Sequence, residues 1–199
     1  MIFRTNGTNL FWNYVQSETM IEYSFCLDKL AESRITPLSF TIDGRRGVFQ
    51  LLKIKYPTTP IQMCHFHQVA IVTRYITKKP KTACGQEIRE LVLTLSKTNE
   101  EAFKNRFNNL QEKYNKFLKE KNENGQFVHR GSRSAIRSIK INLPYLFTYE
   151  HYPQLHIPNT SNSCDGSFGQ WKSKVKLHRG MNIQRKKQVI DTFLSHFFP

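Results

Sequence analysis

Two short apolar runs joined by a helical stretch set the strongest limit on how this chain can fold. Leu38-Ser39-Phe40-Thr41-Ile42 is β-branched, aromatic or aliphatic apart from one serine, and it stops at Asp43-Gly44. It reads as a short buried strand that ends in a carboxylate. A helical pattern runs from Gly47 to Lys55, Tyr56-Pro57-Thr58-Thr59-Pro60 breaks it, and Ile61-Gln62-Met63-Cys64 reads as a second short strand. Strand, helix, strand implies a parallel pair, because parallel neighbours need a crossover connection. Asp43 then sits at the carboxyl end of its strand, the edge of an α/β sheet where loops converge on ligands and metals. A carboxylate just before a helix also suits a capping role, and spacing alone leaves both readings open.

The remaining segments surround this pair with further helices. Phe3 to Val15 carries apolar and aromatic residues around Asn6-Gly7, a hairpin turn signal, so two antiparallel strands are expected there. Ser17 to Ser33 turns helical, with Ser17 as a cap and Ile21, Phe25, Leu27 and Leu30 at three- and four-residue spacings. His67 to Ile76 reads as a helix, and Thr77-Lys78-Lys79-Pro80-Lys81 as a break that marks a subdomain boundary. Residues 84–121 carry two apolar stripes, one through Ile88, Leu91, Val92 and Leu95 and one through Phe103, Phe107 and Leu110. They read as a helical hairpin with its turn near Thr98-Asn99. A further helix is expected over Gly131 to Asn142, and residues 144–161 are expected to be irregular. A helical stretch opens near Asp165 with Phe168, Trp171, Val175 and Leu177, and Ile183 to Phe197 closes the chain.

Thirty Lys+Arg against fifteen Asp+Glu give the 199-residue chain a formal charge of +15, a self-repulsion that a polyanionic partner relieves. Nucleic acid is the first candidate. Arg130, Arg133, Arg137 and Lys140 are spaced by three, four and three, so they share one helix face. Lys172, Lys174, Lys176 and Arg179 add a second basic run, and all eight suit phosphate contacts that position a duplex without reading its bases. No apolar run approaches the roughly 20 residues of a membrane span, and Met1-Ile2-Phe3-Arg4 does not resemble a signal peptide, which points to a cytosolic protein. Cys26, Cys64, Cys84 and Cys164 form no Cys-x-x-Cys pair, so reduced thiols are expected rather than a disulfide framework.

Carboxylate chemistry has few possible sites, since Asp28, Asp43, Asp165 and Asp191 are the only aspartates. Asp43 ends a strand and Asp165 opens a helix, positions from which a carboxylate can face a bound ion or merely cap a helix. Two-metal phosphoryl-transfer sites gather such carboxylates from separate segments, because hard divalent cations prefer oxygen ligands. Cys64 and His67 form a Cys-x-x-His pair that invites a zinc reading, with Cys84, His65 and Cys164 as the nearby candidates for the remaining ligands. Plain core packing is the competing account of that pair.

Taken together, Thr41-Ile42-Asp43-Gly44-Arg45-Arg46-Gly47, Cys64-His65-Phe66-His67 and Asn159-Thr160-Ser161-Asn162-Ser163-Cys164-Asp165-Gly166-Ser167-Phe168 resemble the mutator-like DDE transposases of bacterial insertion sequences. Lys172 and His178-Arg179-Gly180 extend the similarity, which runs over nearly the whole chain. The resemblance implies an α/β fold of the RNase H-like type, a mixed sheet flanked by helices with an inserted helical subdomain. In these terms residues 1–77 hold the first part of the core, 78–143 the insertion and 144–199 the remainder. Asp43 is then the second metal-binding carboxylate and Asp165 the third, with Mg²⁺ or Mn²⁺ as cofactor and Cys64 and His67 supporting the site. Transposon ends and target DNA are the implied partners, with a homo-oligomer and a nucleoid location as further expectations.

The sequence departs from this family in two places. Many relatives carry Glu where this chain has Asp165, one methylene shorter. Such families also place a first catalytic Asp on the first strand, whereas here Asp28 falls within a helix and reads as a solvated helix charge. A truncated reading frame that begins at the second strand, with little strand cleavage of its own, is the expectation. A non-catalytic DNA-binding remnant or regulator is the alternative.

Overall fold

The computed structural model of this protein describes residues 1–5, 8–161 and 180–195. Among these residues it is a mixed α/β protein, rich in helix, whose strands pair as two small separate sheets. The chain divides into two compact units, one of residues 1–37, 50–57 and 161–199 and the other of 38–49 and 58–160. This grouping cuts the chain at other points than the segments 1–77, 78–143 and 144–199.

In the first unit, β1 (Ile2–Thr5) and β2 (Thr8–Trp12) pair antiparallel, with Ile2 opposite Trp12 and Thr5 opposite Thr8. The Asn6-Gly7 turn between them lies outside the described residues. Helix α1 (Met20–Glu32) begins three residues later than Ser17, because Thr19 is the residue whose hydroxyl accepts the Glu22 N–H at 3.3 Å. It buries Cys26, Leu27 and Leu30. The last helix, α9 (Ile183–Ser195), is tied to the hairpin by side chains. Asn9 donates to the Leu194 carbonyl at 2.9 Å, and Asp191 accepts from both the Trp12 indole and the Tyr14 hydroxyl at 2.8 Å.

The second unit contains the parallel pair. Strands β3 (Phe40–Ile42) and β4 (Ile61–Met63) run in register, Phe40 beside Ile61 and Ile42 beside Met63, as the strand–helix–strand pattern requires. Helix α2 (Arg46–Lys55) lies between them in sequence. From Cys64 the chain enters α3 (His65–Ile76), two residues earlier than the periodicity implies, so His67 lies in the first helical turn and not at the helix start. Helices α4 (Ala83–Leu93), α5 (Glu100–Lys113) and α6 (Asn115–Lys119) follow. The turn falls where expected, with the Asn99 side chain capping α5 through the Ala102 N–H at 2.9 Å.

Helix α7 (Arg130–Leu146) packs across α3 and α4 and completes the core. Gly131 permits the closest approach, since a Cβ there would lie 2.5 Å from the Tyr75 carbonyl oxygen. Ile88, Val92, Phe103, Phe107, Ile139, Leu146 and Phe147 are all nearly or wholly buried in this cluster. Each large apolar side chain withdrawn from water contributes roughly 1.5–3 kcal/mol.

The helix over 131–142 is extended by four residues at its end, and the segment after it is not irregular throughout. Pro144 lies within α7, a short helical turn α8 (Thr148–His151) follows, and residues 153–155 form a 3₁₀ turn. Proline removes one backbone donor and would normally stop a helix. Here the far end is held from β4 and from the start of α3: the Gln62 side-chain amide and the His65 Nε2 both bond to the Leu146 carbonyl, at 2.7 and 2.6 Å. The Gln62 Oε1 accepts the Tyr149 N–H at 3.0 Å, and the Thr148 hydroxyl donates to the Ile61 carbonyl at 2.8 Å.

Gln62 is wholly buried, so its bonds have no water to replace them. Gln62→Leu keeps the volume but leaves the Tyr149 N–H unmatched, and is expected to lower stability by about 2–4 kcal/mol in urea unfolding. An unchanged midpoint would show that the junction does not hold the end of α7.

Candidate functional site

The carboxyl ends of β3 and β4 form one edge, and three separate pieces of chain meet there. Asp43 leaves β3, and its Oδ1 accepts the Arg45 N–H at 3.2 Å, closing a tight side-chain turn two residues long. The capping reading is thereby refined: the carboxylate organises the turn before α2 rather than an N–H inside the helix. Gly44 follows with φ +87°, and a Cβ there would lie 2.5 Å from the Met63 Cε. Both the turn and the close approach require glycine.

Cys64 leaves β4 beside Asp43, because its N–H bonds to the Ile42 carbonyl at 2.8 Å as the last link of the parallel ladder. It is fully buried at the N-cap of α3, and His67 lies one turn along. The third piece is the segment that leads toward Asp165. The Thr41 hydroxyl donates to the Pro158 carbonyl at 2.7 Å, and the His65 N–H to the Asn159 carbonyl at 2.9 Å. The Pro158 and Asn159 carbonyls thus lie against the strand pair that ends at Asp43 and Cys64. Asp165 and Cys164 lie outside the described residues.

The sequence offers His65 only as a further zinc ligand, yet its backbone and ring are both tied into the edge. Its Nε2 bonds to the Leu146 carbonyl, its Nδ1 is buried without a hydrogen-bond partner, and its ring meets Phe147 and Tyr149 edge-on at 5.7 Å. A carbonyl partner fixes the tautomer with the proton on Nε2. Burial pulls the His65 pKa below its ordinary 6.5, against smaller upward pulls from the Leu146 carbonyl and Glu150. The ring is therefore neutral near pH 7. Tyr149 keeps its proton too, since burial and the neighbouring Glu150 push its pKa up to about 12.

A second feature lies on α7. Arg130, Arg133, Arg137 and Lys140 line one cavity of about 730 Å³, as the three-four-three spacing implies, and Leu118, Phe127 and Ile136 supply its apolar wall. The four cations are not equivalent. Arg133 donates to the Leu118 carbonyl at 2.5 Å and stacks its guanidinium 3.4 Å over the Phe127 ring, while Arg130 bonds to the Gln126 side chain. Arg137 and Lys140 are exposed on the next turns. Phe127 is the residue that the spacing of charges gave no reason to select, and a lone aromatic next to Val128 in a polar loop was its only signal.

The other aspartates are committed elsewhere. Asp28 pairs with Lys55 at 2.5 Å on α1, in keeping with a helix charge, and Asp191 holds Trp12 and Tyr14. Among the described residues no three of His, Cys, Asp and Glu gather as a metal-ligand set. Lys172, Lys174, Lys176 and Arg179 lie outside the described residues. No described helix is long and apolar enough to cross a membrane. No family model, curated protein or solved structure matches this chain.

Two outcomes test this geometry. A histidine whose folded pKa is depressed contributes stability that is full above its unfolded value and is lost as pH falls through it. Wild-type stability is therefore expected to drop as pH falls below about 6.5, the unfolded value, and His65→Gln, which keeps a donor for Leu146, to flatten that slope. Equal slopes for the two proteins would contradict the neutral, buried imidazole. Gly44→Ala is expected to cost about 1–3 kcal/mol, measured as a lowered melting midpoint, because the methyl collides with Met63 at a positive φ.

Proposed function

We propose that this chain carries catalytic-core residues of a DNA transposase, with an RNase H-like core of the mutator-like DDE type that cuts and joins DNA strands by metal-dependent phosphoryl transfer. The observation that supports it most is the shared carboxyl edge of the parallel pair, where Asp43, Cys64 and the segment leading to Asp165 meet. Sheet edges of this kind are where α/β proteins bind ligands. Asp43 is half-exposed and offers a hard oxygen donor, which fits one ligand of Mg²⁺ or Mn²⁺, and Asp165 is the proposed second. A divalent ion bound there supplies charge stabilisation to the attacking and leaving oxygens of an in-line displacement.

The chain's own residues prepare that edge. The Arg45 N–H orients the Asp43 carboxylate, and Gly44 lets β3 turn away without covering it. The buried ladder link at Cys64 fixes the spacing of the two strand ends, and neutral His65 anchors the edge to Leu146 and Asn159 without adding a positive charge beside the proposed cation. Asp28 and Asp191 are occupied by Lys55, Trp12 and Tyr14, so neither supplies the first carboxylate of a DDE set. Little strand cleavage is expected from this chain alone.

A second reading, a DNA-binding remnant or regulator without chemistry, is favoured by the cavity on α7, whose Arg137 and Lys140 need no metal to attract phosphates.

The test is Mn²⁺ titration followed by paramagnetic broadening of resonances near Asp43, with nicking of supercoiled DNA assayed in parallel. Asp43→Asn is expected to weaken Mn²⁺ binding about tenfold or more while leaving the melting midpoint in place. Unchanged Mn²⁺ affinity, with salt-dependent DNA binding indifferent to divalent ions, would remove the transposase reading and leave the DNA-binding one. Strong nicking that Asp43→Asn abolishes would instead overturn the inactivity and keep the site.

A further inference from the structure

We infer that the cavity between α7 and the 120–129 loop is a subsite for one unpaired nucleotide of a DNA strand, its phosphate held by Arg137 and Lys140 and its base against the apolar wall. The inference rests on the proposed function only in taking DNA as the polyanion that the chain meets.

Size comes first. At about 730 Å³ the cavity falls in the range of roughly 300–1,000 Å³ that accepts a ligand of a few tens of atoms, which suits a single nucleotide unit. Paired bases would stay stacked inside the helix and present only backbone at the rim, leaving the apolar wall of Leu118, Phe127 and Ile136 without a partner.

The wall is built rather than improvised. The loop closes on itself through Asn122 N–H to the Gln126 carbonyl at 2.9 Å and Val128 N–H to the Glu120 carbonyl at 3.1 Å. The Asn122 Oδ1 accepts the N–H groups of Asn124 and Gln126, and Gly125 takes the left-handed conformation at φ +71°. At its base the His129 ring stacks on Phe117 with centroids 3.4 Å apart, and His129 Nε2 bonds to Glu120 at 2.8 Å. Arg133, engaged with the Leu118 carbonyl and the Phe127 ring, ties α6 and the loop to α7.

This gives the basic face two tasks. Arg130 and Arg133 hold the cavity in shape, and Arg137 and Lys140 supply its charge. A fixed apolar surface beside two exposed cations is the combination by which proteins hold single strands, the backbone on cations and the base against side chains. A short acidic peptide of Asp and Glu alone would use the cations but not the apolar wall.

Fluorescence anisotropy with the full chain tests this, using labelled oligothymidylate of about twelve nucleotides and a duplex of equal length over a series of salt concentrations. Oligothymidylate is expected to bind about tenfold tighter than the duplex or better. Arg137→Ala with Lys140→Ala should weaken it at least about tenfold and reduce the magnitude of the salt slope by about 1.4, two contacts at about 0.7 each. Ser134→Trp fills the cavity without altering charge, and is expected to bring oligothymidylate down to the duplex affinity while the duplex is unaffected. Circular dichroism and melting midpoints confirm that each variant is folded, and the charge variant carries the test if Ser134→Trp is not. Equal or tighter duplex binding, no binding of either DNA, or an oligothymidylate affinity unmoved by the folded variants overturns the inference. A chain that prefers duplex and binds Mn²⁺ through Asp43 loses this subsite and keeps the transposase reading. One that holds oligothymidylate but no metal does the reverse.

Discussion

The second unit depends on one backbone carbonyl, that of Leu146. It ends a 17-residue helix that has a proline two residues before its last, and helix ends leave carbonyls that need partners when they are buried. Gln62 and His65, both buried, converge on it from β4 and from the first turn of α3. A polar side chain in the middle of a buried three-residue strand is costly unless all its groups are matched. Gln62 is matched on both sides, through its amide to Leu146 and Met63 and through its carbonyl oxygen to Tyr149. The same strand then delivers Cys64 and His65 to the sheet edge, so the interaction that seats α7 also sets the geometry around Asp43.

The parallel pair and its carboxylate were legible because they need only local information: an apolar run, a Gly-bearing stop, a crossover and a second run. The α5 cap at Asn99 was legible for the same reason. Ser17 and Thr19 are both competent caps by residue type, and the sequence does not distinguish them; the chain turns at Thr19, whose hydroxyl accepts the Glu22 N–H. The end of α7 was illegible in principle, since Pro144 argues for a stop and the partners that overrule it lie 81 and 84 residues away. The role of His65 is hidden for a similar reason. Next to Cys64 and His67 it looks like a ligand, and only its burial against Phe147 and Tyr149 makes it a neutral anchor.

Charge shows the same limit of one-dimensional reading. Spacing placed Arg130, Arg133, Arg137 and Lys140 on one face, and they do line one cavity. Spacing could not divide them by role, because that depends on what comes back to meet them. The 120–129 loop returns Phe127 and Gln126 to the first turn of α7, and there the arginines are spent on structure. Further along the helix no such loop arrives among the described residues, and Arg137 and Lys140 are exposed. A guanidinium stacked on an aromatic and bonded to a carbonyl has little left to offer a phosphate, so net charge overstates the number of sites that can bind one.

Helix α7 connects the two candidate sites mechanically. At 1.5 Å per residue it is about 25 Å long, and Lys140 lies about 9 Å along the axis from Leu146. Its first turns form a wall of the cavity and its last carbonyl is bonded to the strand that ends at the Asp43 edge. Gly131 presses it against the Tyr75 carbonyl, which leaves it little room to slide along α3. Lys140 thus lies on the same rigid element that positions His65, and its distance from the Asp43 edge is set by helix geometry rather than by a flexible linker. Interactions that look purely structural, at Gln62, His65 and Gly131, are thereby the ones that set the spacing between the cavity on α7 and the Asp43 edge.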